Sequence, residues 1–309
     1  MKAYDAVVLG AGPAGLTAAL YLCRFGLRTA LVEKLAHGGQ LLNTAEIANY
    51  PGFPKGAEGW VLAESFSSHL DTYEELTRFS QEILSLSVNG ARFEIQLDSE
   101  LIESKSVIVC SGASPKKLGL SDEQRLRGRG VSYCAMCDGM FFRDQDVAMI
   151  GGGNSALEEA LYLSNIVRKL YLIHRRDQFR ADKIYQDKIS QRLDKIELVL
   201  GHVVTDIHGA DDLTGVTVAP VSGEASRLLD VSGLFVFVGM DPVGSYLPQN
   251  VTTDEAGFVI TDTEMRTSVP GLFAAGDIRS KLCRQVVTAV GDGATAAHSA
   301  FTYLEQLEA

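Results

Sequence analysis

Two cysteines three residues apart, Cys134-Ala-Met-Cys137, with Asp138 adjoining, are the densest reactive chemistry in the chain. Thiols at this spacing close a small disulfide ring and exchange it with another disulfide. The same spacing serves as half of a zinc site, or as two inert core thiols. A zinc site needs a second Cys or His pair. Cys23, Cys110 and Cys283 stand alone and the six histidines show no ligand spacing, so no metal is expected. The redox reading is the strongest of the three. Asp138 then moves the proton that a thiolate needs; its alternative role is to cap the chain that follows. Cys23 and Cys110 fall in apolar segments and read as core fillers; Cys283, in a polar loop, is given no role.

A second kind of chemistry occurs twice. Asp5-Ala-Val-Val-Leu-Gly10-Ala-Gly12-Pro13-Ala14-Gly15 and Asp146-Val-Ala-Met-Ile-Gly151-Gly-Gly153-Asn154-Ser155-Ala156 are each a β run, a glycine turn and the start of a helical pattern. In such a turn the first glycine makes the bend and the second lets a pyrophosphate approach the backbone. The third, or an alanine, lets helix and strand pack closely. The helix N-terminus then offers free N–H groups and a positive dipole end to the anion.

The strand that follows each turn says which nucleotide it suits. Glu33 lies about 20 residues after Gly10, where a carboxylate accepts hydrogen bonds from a ribose diol. That suits FAD or NAD. The same distance after Gly151 lands on His174, followed by Arg175 and Arg176, with Arg180 one turn on. A 2′-phosphate fits that basic run better than a diol, so NADPH is expected there. A chain holding two dinucleotides moves hydride between a nicotinamide and a flavin.

These motifs need elements to hold them. A length of 309 residues suggests about two domains, and 46% hydrophobic with 22% charged residues is ordinary globular composition. The alternation of β runs and helical patterns predicts an α/β fold with two Rossmann-like dinucleotide domains. A net charge of −11 speaks against a nucleic-acid binder. The uncharged stretch 6–23 is nearly long enough to span a membrane. Gly10, Gly12, Pro13 and Gly15 break it into strand, turn and helix. No membrane association and no signal peptide are expected, and a cytoplasmic location is.

Taken in order, these segments resemble the low-molecular-weight, bacterial-type thioredoxin reductases. The likeness covers nearly the whole chain. It rests on the two glycine turns, Gly38-Gly39-Gln40-Leu41, Asn49-Tyr50-Pro51-Gly52, Cys134 to Gly139, and His174-Arg-Arg-Asp-Gln-Phe-Arg180-Ala. It continues through Phe237-Val-Gly239, Phe273-Ala-Ala-Gly276-Asp277 and Arg284-Gln285-Val286-Val-Thr-Ala.

The resemblance implies FAD on the first turn, with Gly39, Gln40 and Asn49 along the flavin arm and Gly112 beside it. Gly276 and Asp277 return late to the ribityl chain and pyrophosphate, and Arg284, Gln285 and Val286 lie near the ring. It implies a discontinuous FAD domain, 1–113 and 243–309, with an NADPH domain, 114–242, inserted and carrying the cysteines. Cys137 is implied as the sulfur facing the flavin and Cys134 as the one that attacks the disulfide of thioredoxin. A homodimer and a rotation of the inserted domain between steps follow from the same likeness.

The aromatics of Met140-Phe141-Phe142-Arg143 either dock that partner or fill the core. The segment departs from the family at Met140, where an aromatic is usual; so does Cys283. The nearest rivals are a dithiol oxidase, a ferredoxin-fed reductase and the reductase of a peroxiredoxin system. A flavin-bearing binding module without turnover is the rival from another class.

Overall fold

The computed structural model describes residues 2–43, 46–47, 49–223 and 226–308. Two compact units form, one from Met1–Ser114 with Asp241–Ala309 and one from Pro115–Met240.

In the first unit the strand Lys2–Leu9 lies at the centre of a parallel sheet. It pairs with Thr29–Glu33 on one side and Leu101–Val109 on the other. Leu76–Ser80 extends one edge, and the late strand Leu272–Ala274 pairs with Leu101–Val109. The central strands read as unbroken apolar runs because both faces are covered: Ala6, Val7, Val8 and Leu9 are all fully buried. On one face lie helix α1 (Pro13–Arg24) and the C-terminal helix, residues 286–308. The hairpin Arg92–Leu97 with Leu101–Val109 joins this sheet antiparallel, Phe93 opposite Ser104 and Gln96 opposite Leu101. It is therefore an extension of the sheet as well as a surface hairpin.

Helix α2 (Gly59–Ser68) lies beside the short Gly39–Asn43 turn of 3-10 helix. The two chain crossings, Ala113–Pro115 and Met240–Pro242, pair with each other as a two-stranded ribbon.

The second unit repeats the plan. Its parallel sheet runs in the order Val131–Ser132, Gly233–Phe237, Asp146–Gly151, Lys169–His174, Ile196–Leu200. Helices α3 (Ala135–Asp138), α4 (Asn154–Ser164) and α5 (Lys183–Ser190) cover one face. A three-stranded antiparallel sheet, His202–His208 with Gly215–Pro220 and Arg227–Leu229, supports the other. The C-terminal helix 286–308 is called α6 below.

Candidate functional site

Cys134 and Cys137 are joined by a disulfide, with Cα atoms 5.3 Å apart. Cys134 occupies the N-cap position of α3: its backbone is extended and its Sγ accepts the Cys137 N–H at 3.2 Å. A helix amide aimed at sulfur favours the thiolate over the thiol. Ala135 is wholly buried against the core, so the ring is anchored from behind. Gly139 follows because α4 leaves no room for more: a Cβ there would stand 2.8 Å from the Leu163 side chain.

Asp138 closes α3 and does not cap the next turn. Its Oδ2 accepts the Ser132 hydroxyl at 2.6 Å. Burial raises its pKa, opposed by the Ser132 hydrogen bond and by the Arg127 charge. A carboxyl held in this way carries a proton more readily than one in water. The same Ser132 oxygen accepts the Cys134 N–H at 3.1 Å and lies 3.2 Å from the Cys134 carbonyl oxygen. The aromatics beyond the pair differ in burial. Met140 and Phe141 are about half exposed, while Phe142 packs edge-on against Phe235 with ring centroids 5.3 Å apart.

The first glycine turn is built for close approach. Gly10 has φ +105°, and a Cβ there would lie 2.6 Å from the Cys110 carbonyl oxygen. A Cβ on Gly15 would lie 1.8 Å from the Gly10 oxygen. Gly12 is different: its nearest neighbour would be Gly39 Cα at 4.0 Å, so its missing side chain leaves space above the turn. Pro13 begins α1, Ala14 is buried, and no side chain caps the helix start, leaving its N–H groups for an anion. Glu33 accepts the Ala11 N–H at 3.0 Å and the Leu35 N–H at 3.2 Å, at the rim of the same turn.

Around that rim the structure gathers the residues that are distant in sequence. Gln40 donates to the Ala113 carbonyl at 3.2 Å, next to Gly112, whose φ is +70°. Asn49 donates to the Gln285 side chain at 3.0 Å. Gly276 reaches α1, a Cβ there lying 2.9 Å from that of Ala14. Asp277 carries a buried Oδ1 with no hydrogen-bond partner, and burial raises its pKa. A buried orphan acceptor beside a glycine turn is what a ribityl hydroxyl would satisfy, so these residues fit a flavin dinucleotide. Arg284 is engaged with the protein itself. It lies 4.1 Å over the Phe258 ring and donates to the carbonyls of Asp277, Lys281 and Arg279. Val286 opens α6.

The second turn has the same physics. A Cβ on Gly151 would meet Ala156 at 2.4 Å, and one on Gly153 would meet nothing within 4 Å. No side chain caps α4. Ser155 is exposed in its first turn. Asn154 is tied to Asp182, donating at 2.8 Å and accepting the Asp182 N–H at 2.7 Å. Arg175, Arg176 and Arg180 are exposed, and among the described residues none of them makes an ion pair. His174 departs from the sequence expectation of a basic group for the phosphate. It is 5% exposed, lies beneath Gly152 and stacks on Phe179. Burial lowers its pKa, with Arg180, Arg176 and Arg175 pushing the same way, so it is neutral at pH 7. The ring supports the turn, and the three arginines present the charge.

The pyridine nucleotide-disulphide oxidoreductase family profile matches residues 4–293. The chain belongs to that family. It is 39% identical to the thioredoxin reductase of Listeria innocua, over 99% of this chain and 96% of that protein. It is equally identical to that of Treponema pallidum, over 99% of this chain and 98% of that protein. The crystal structure of thioredoxin reductase from Streptococcus pyogenes matches with a TM-score of 0.92 at 41% identity, covering 98% of this chain and 99% of that one. The chain is thus a disulphide oxidoreductase similar over its length to thioredoxin reductases, and the redox reading of Cys134 and Cys137 stands over zinc. Among the described residues no cluster of His, Cys, Asp or Glu is arranged to hold a metal. No helix among them is long and apolar enough to cross a membrane.

Two polar residues of this disulphide oxidoreductase are invisible to motif reading. Ser132 carries no signature; only the fold brings it under Asp138. Asp292, on α6, accepts the Gly276 N–H at 3.1 Å and pairs with Arg279 at 2.9 Å and Lys281 at 2.8 Å. It pins the Gly276-Asp277 turn from the next helix, sixteen residues on.

Proposed function

We propose that the chain is a thioredoxin–disulfide reductase that draws electrons from NADPH and uses bound FAD. The observation that carries this reading is the Cys134–Cys137 disulfide capping its own helix, with Asp138 held by Ser132 beside it, in a chain alike over its length to thioredoxin reductases. FAD and NADPH, when bound, supply the electron pair that opens this disulfide. The unit of Met1–Ser114 and Asp241–Ala309 holds FAD. Gly10 to Gly15 and Glu33 take its ADP half; Asp277, with Gly276, takes the chain between the phosphates and the ring. Pro115–Met240 holds NADPH, with Gly153, Asn154 and Ser155 at the pyrophosphate and Arg175, Arg176 and Arg180 at the 2′-phosphate.

The chain's own residues then do the thiol chemistry. Cys134, stabilised as thiolate by the Cys137 amide, attacks one sulfur of the thioredoxin disulfide. The leaving sulfur takes a proton, which Asp138 carries. Cys137 attacks Cys134 in the mixed disulfide, releases reduced thioredoxin and restores the ring. Met140 and Phe141, exposed beside the pair, meet the partner. The protein works as a homodimer in the cytoplasm, and its two crossings are where the inserted unit turns between steps.

The three unpaired arginines favour this over a ferredoxin-fed reductase or a dithiol oxidase, neither of which needs a 2′-phosphate site. The test is NADPH consumption by the purified yellow protein with oxidised thioredoxin, peroxiredoxin or oxygen as acceptor. Thioredoxin is expected to drive turnover with NADPH and only weakly with NADH. Equal rates on oxygen alone would favour the oxidase.

A further inference from the structure

Asp182 stands at the N-cap of α5, a position where an aspartate side chain ordinarily accepts an N–H of its own helix. Here it makes no such bond. It turns instead to Asn154, at the start of α4 and 28 residues away in the chain. Its Oδ2 accepts the Asn154 side-chain N–H at 2.8 Å, and its own backbone N–H donates to Asn154 Oδ1 at 2.7 Å. Both polar atoms of the Asn154 side chain are thereby engaged within the protein. Two further bonds close on the same turn. The N–H groups of Arg180 and Ala181 both reach the Gly152 carbonyl, at 2.8 and 3.2 Å. On one side of Arg180, Phe179 stacks on His174, which lies directly under Gly152. On the other, Ala181 is buried in the core of the unit. The backbone of Arg180 is thus fastened to the glycine turn while its side chain stands exposed.

Resting on the reading of this turn as the NADPH site, we infer that Asp182 is a positioning residue for nucleotide choice. Through Asn154 it locks the segment 180–182 to the glycine turn. Arg180 then keeps a fixed place relative to the turn that takes the pyrophosphate, as the reading of a 2′-phosphate requires. A carboxylate has the wrong sign to bind phosphate itself, so the contribution of Asp182 is one of position.

The need for such a latch is electrostatic. Arg175, Arg176 and Arg180 carry like charges on one short stretch of chain and repel one another. A loose segment spreads to separate these charges when no anion lies between them. Ordering it again on binding weakens affinity, whereas a segment ordered by the fold is ready beforehand. Arg175 directly follows the strand Lys169–His174 and is placed by it. Arg180 lies in the connection to α5, which has only the Gly152 and Asn154 bonds and the Phe179 stack to hold it.

The test is calorimetric titration of the oxidised, FAD-loaded protein with NADP⁺ and with NAD⁺, which bind without passing hydride. The quantity read is the ratio of the two dissociation constants. Asp182 is exposed, so substitutions there leave the core untouched. Asp182→Ala removes the acceptor for Asn154. It is expected to weaken NADP⁺ about fivefold, the worth of one hydrogen bond, with NAD⁺ changing less than about twofold. Asp182→Asn keeps an acceptor oxygen and should preserve the wild-type ratio. In protein already carrying Arg180→Ala, Asp182→Ala should leave the ratio unchanged, because the effect runs through that arginine. An equal loss for both nucleotides, or a ratio that Asp182→Ala does not move, would overturn the inference, since Asp182 would then only hold α5. Tighter NADP⁺ binding in both variants would overturn it as well, because charge and not position would be at work. A wild-type protein that holds NADP⁺ no tighter than NAD⁺ would sink the functional reading itself. A wild-type preference that survives Asp182→Ala sinks this inference alone.

Discussion

The Ser132 hydroxyl donates to Asp138 at 2.6 Å, and the same oxygen accepts the Cys134 N–H at 3.1 Å. One small side chain thus sets both the acid and the entry to the redox turn. Asp138→Asn keeps an acceptor for Ser132 but cannot carry the proton. Thioredoxin turnover is expected to fall about a hundredfold, the lower range for a lost acid–base group. Reduction of the Cys134–Cys137 pair by dithiothreitol should persist. Turnover within twofold of wild type would remove Asp138 from the mechanism.

The same substitution has a stability consequence with a definite sign. Burial raises the Asp138 pKa in the folded protein, so ionisation there opposes folding above that pKa. Below the unfolded value both states are protonated and the penalty vanishes. Asp138→Asn should therefore melt higher than wild type at pH 7, and the gap should close as pH falls toward 4. Melting curves at several pH values check this; a gap that widens in acid would contradict the burial argument.

Gly12 and Gly15 separate ligand approach from packing. A Cβ on Gly15 meets backbone at 1.8 Å, and one on Gly12 meets nothing closer than 4.0 Å. Gly15→Ala is expected to cost several kcal/mol by forced overpacking and to give little folded protein. Gly12→Ala should fold normally and bind FAD at least tenfold more weakly, since the methyl fills the space kept for the pyrophosphate. Flavin absorbance and melting temperature of both variants test the distinction.

Arg175, Arg176 and Arg180 stand exposed at the end of a strand whose His174 is buried and neutral. Replacing Arg175 and Arg180 with Ala should raise the KM for NADPH by roughly 10²-fold, each charge-assisted contact being worth about 1.5–3 kcal/mol. The weaker NADH activity should stay nearly constant. His174→Phe is expected to leave the cofactor preference intact. A preference lost with His174 and kept without the arginines would reverse the assignment.

Asp292 faces Arg279 and Lys281 in a pocket where all three side chains are about one-tenth exposed. Asp292→Ala strands two cations and frees the Gly276 amide. A loss of about 3 kcal/mol is expected on thermal or urea unfolding, with easier release of FAD. Unchanged flavin retention would show that the Gly276-Asp277 turn holds without its tether.

Much of the fold and of the site is legible in the amino-acid order alone. Both glycine turns, Glu33 and the cysteine pair lie in local patterns, and local patterns survive folding because a strand, a turn and a helix start are short-range objects. What stays hidden there follows no motif or depends on burial. Ser132 reaches Asp138 across six residues and Asp292 reaches Gly276 across sixteen, and no residue pattern announces either pairing. His174 sits in a basic run, and charge in a run says nothing of which side chain turns inward. Phe141 and Phe142 are neighbours of one kind, and only the fold decides that one is exposed and the other packs on Phe235.

The central claim is that electrons from NADPH arrive at Cys134 and Cys137. Its most direct measurement is an anaerobic titration of the FAD-loaded protein with NADPH, followed by alkylation and mass analysis of these two residues. The account predicts two new thiols per chain, at Cys134 and Cys137, with NADPH and far fewer with an equal amount of NADH. A pair that stays oxidised under excess NADPH, in protein that holds its flavin, would contradict it.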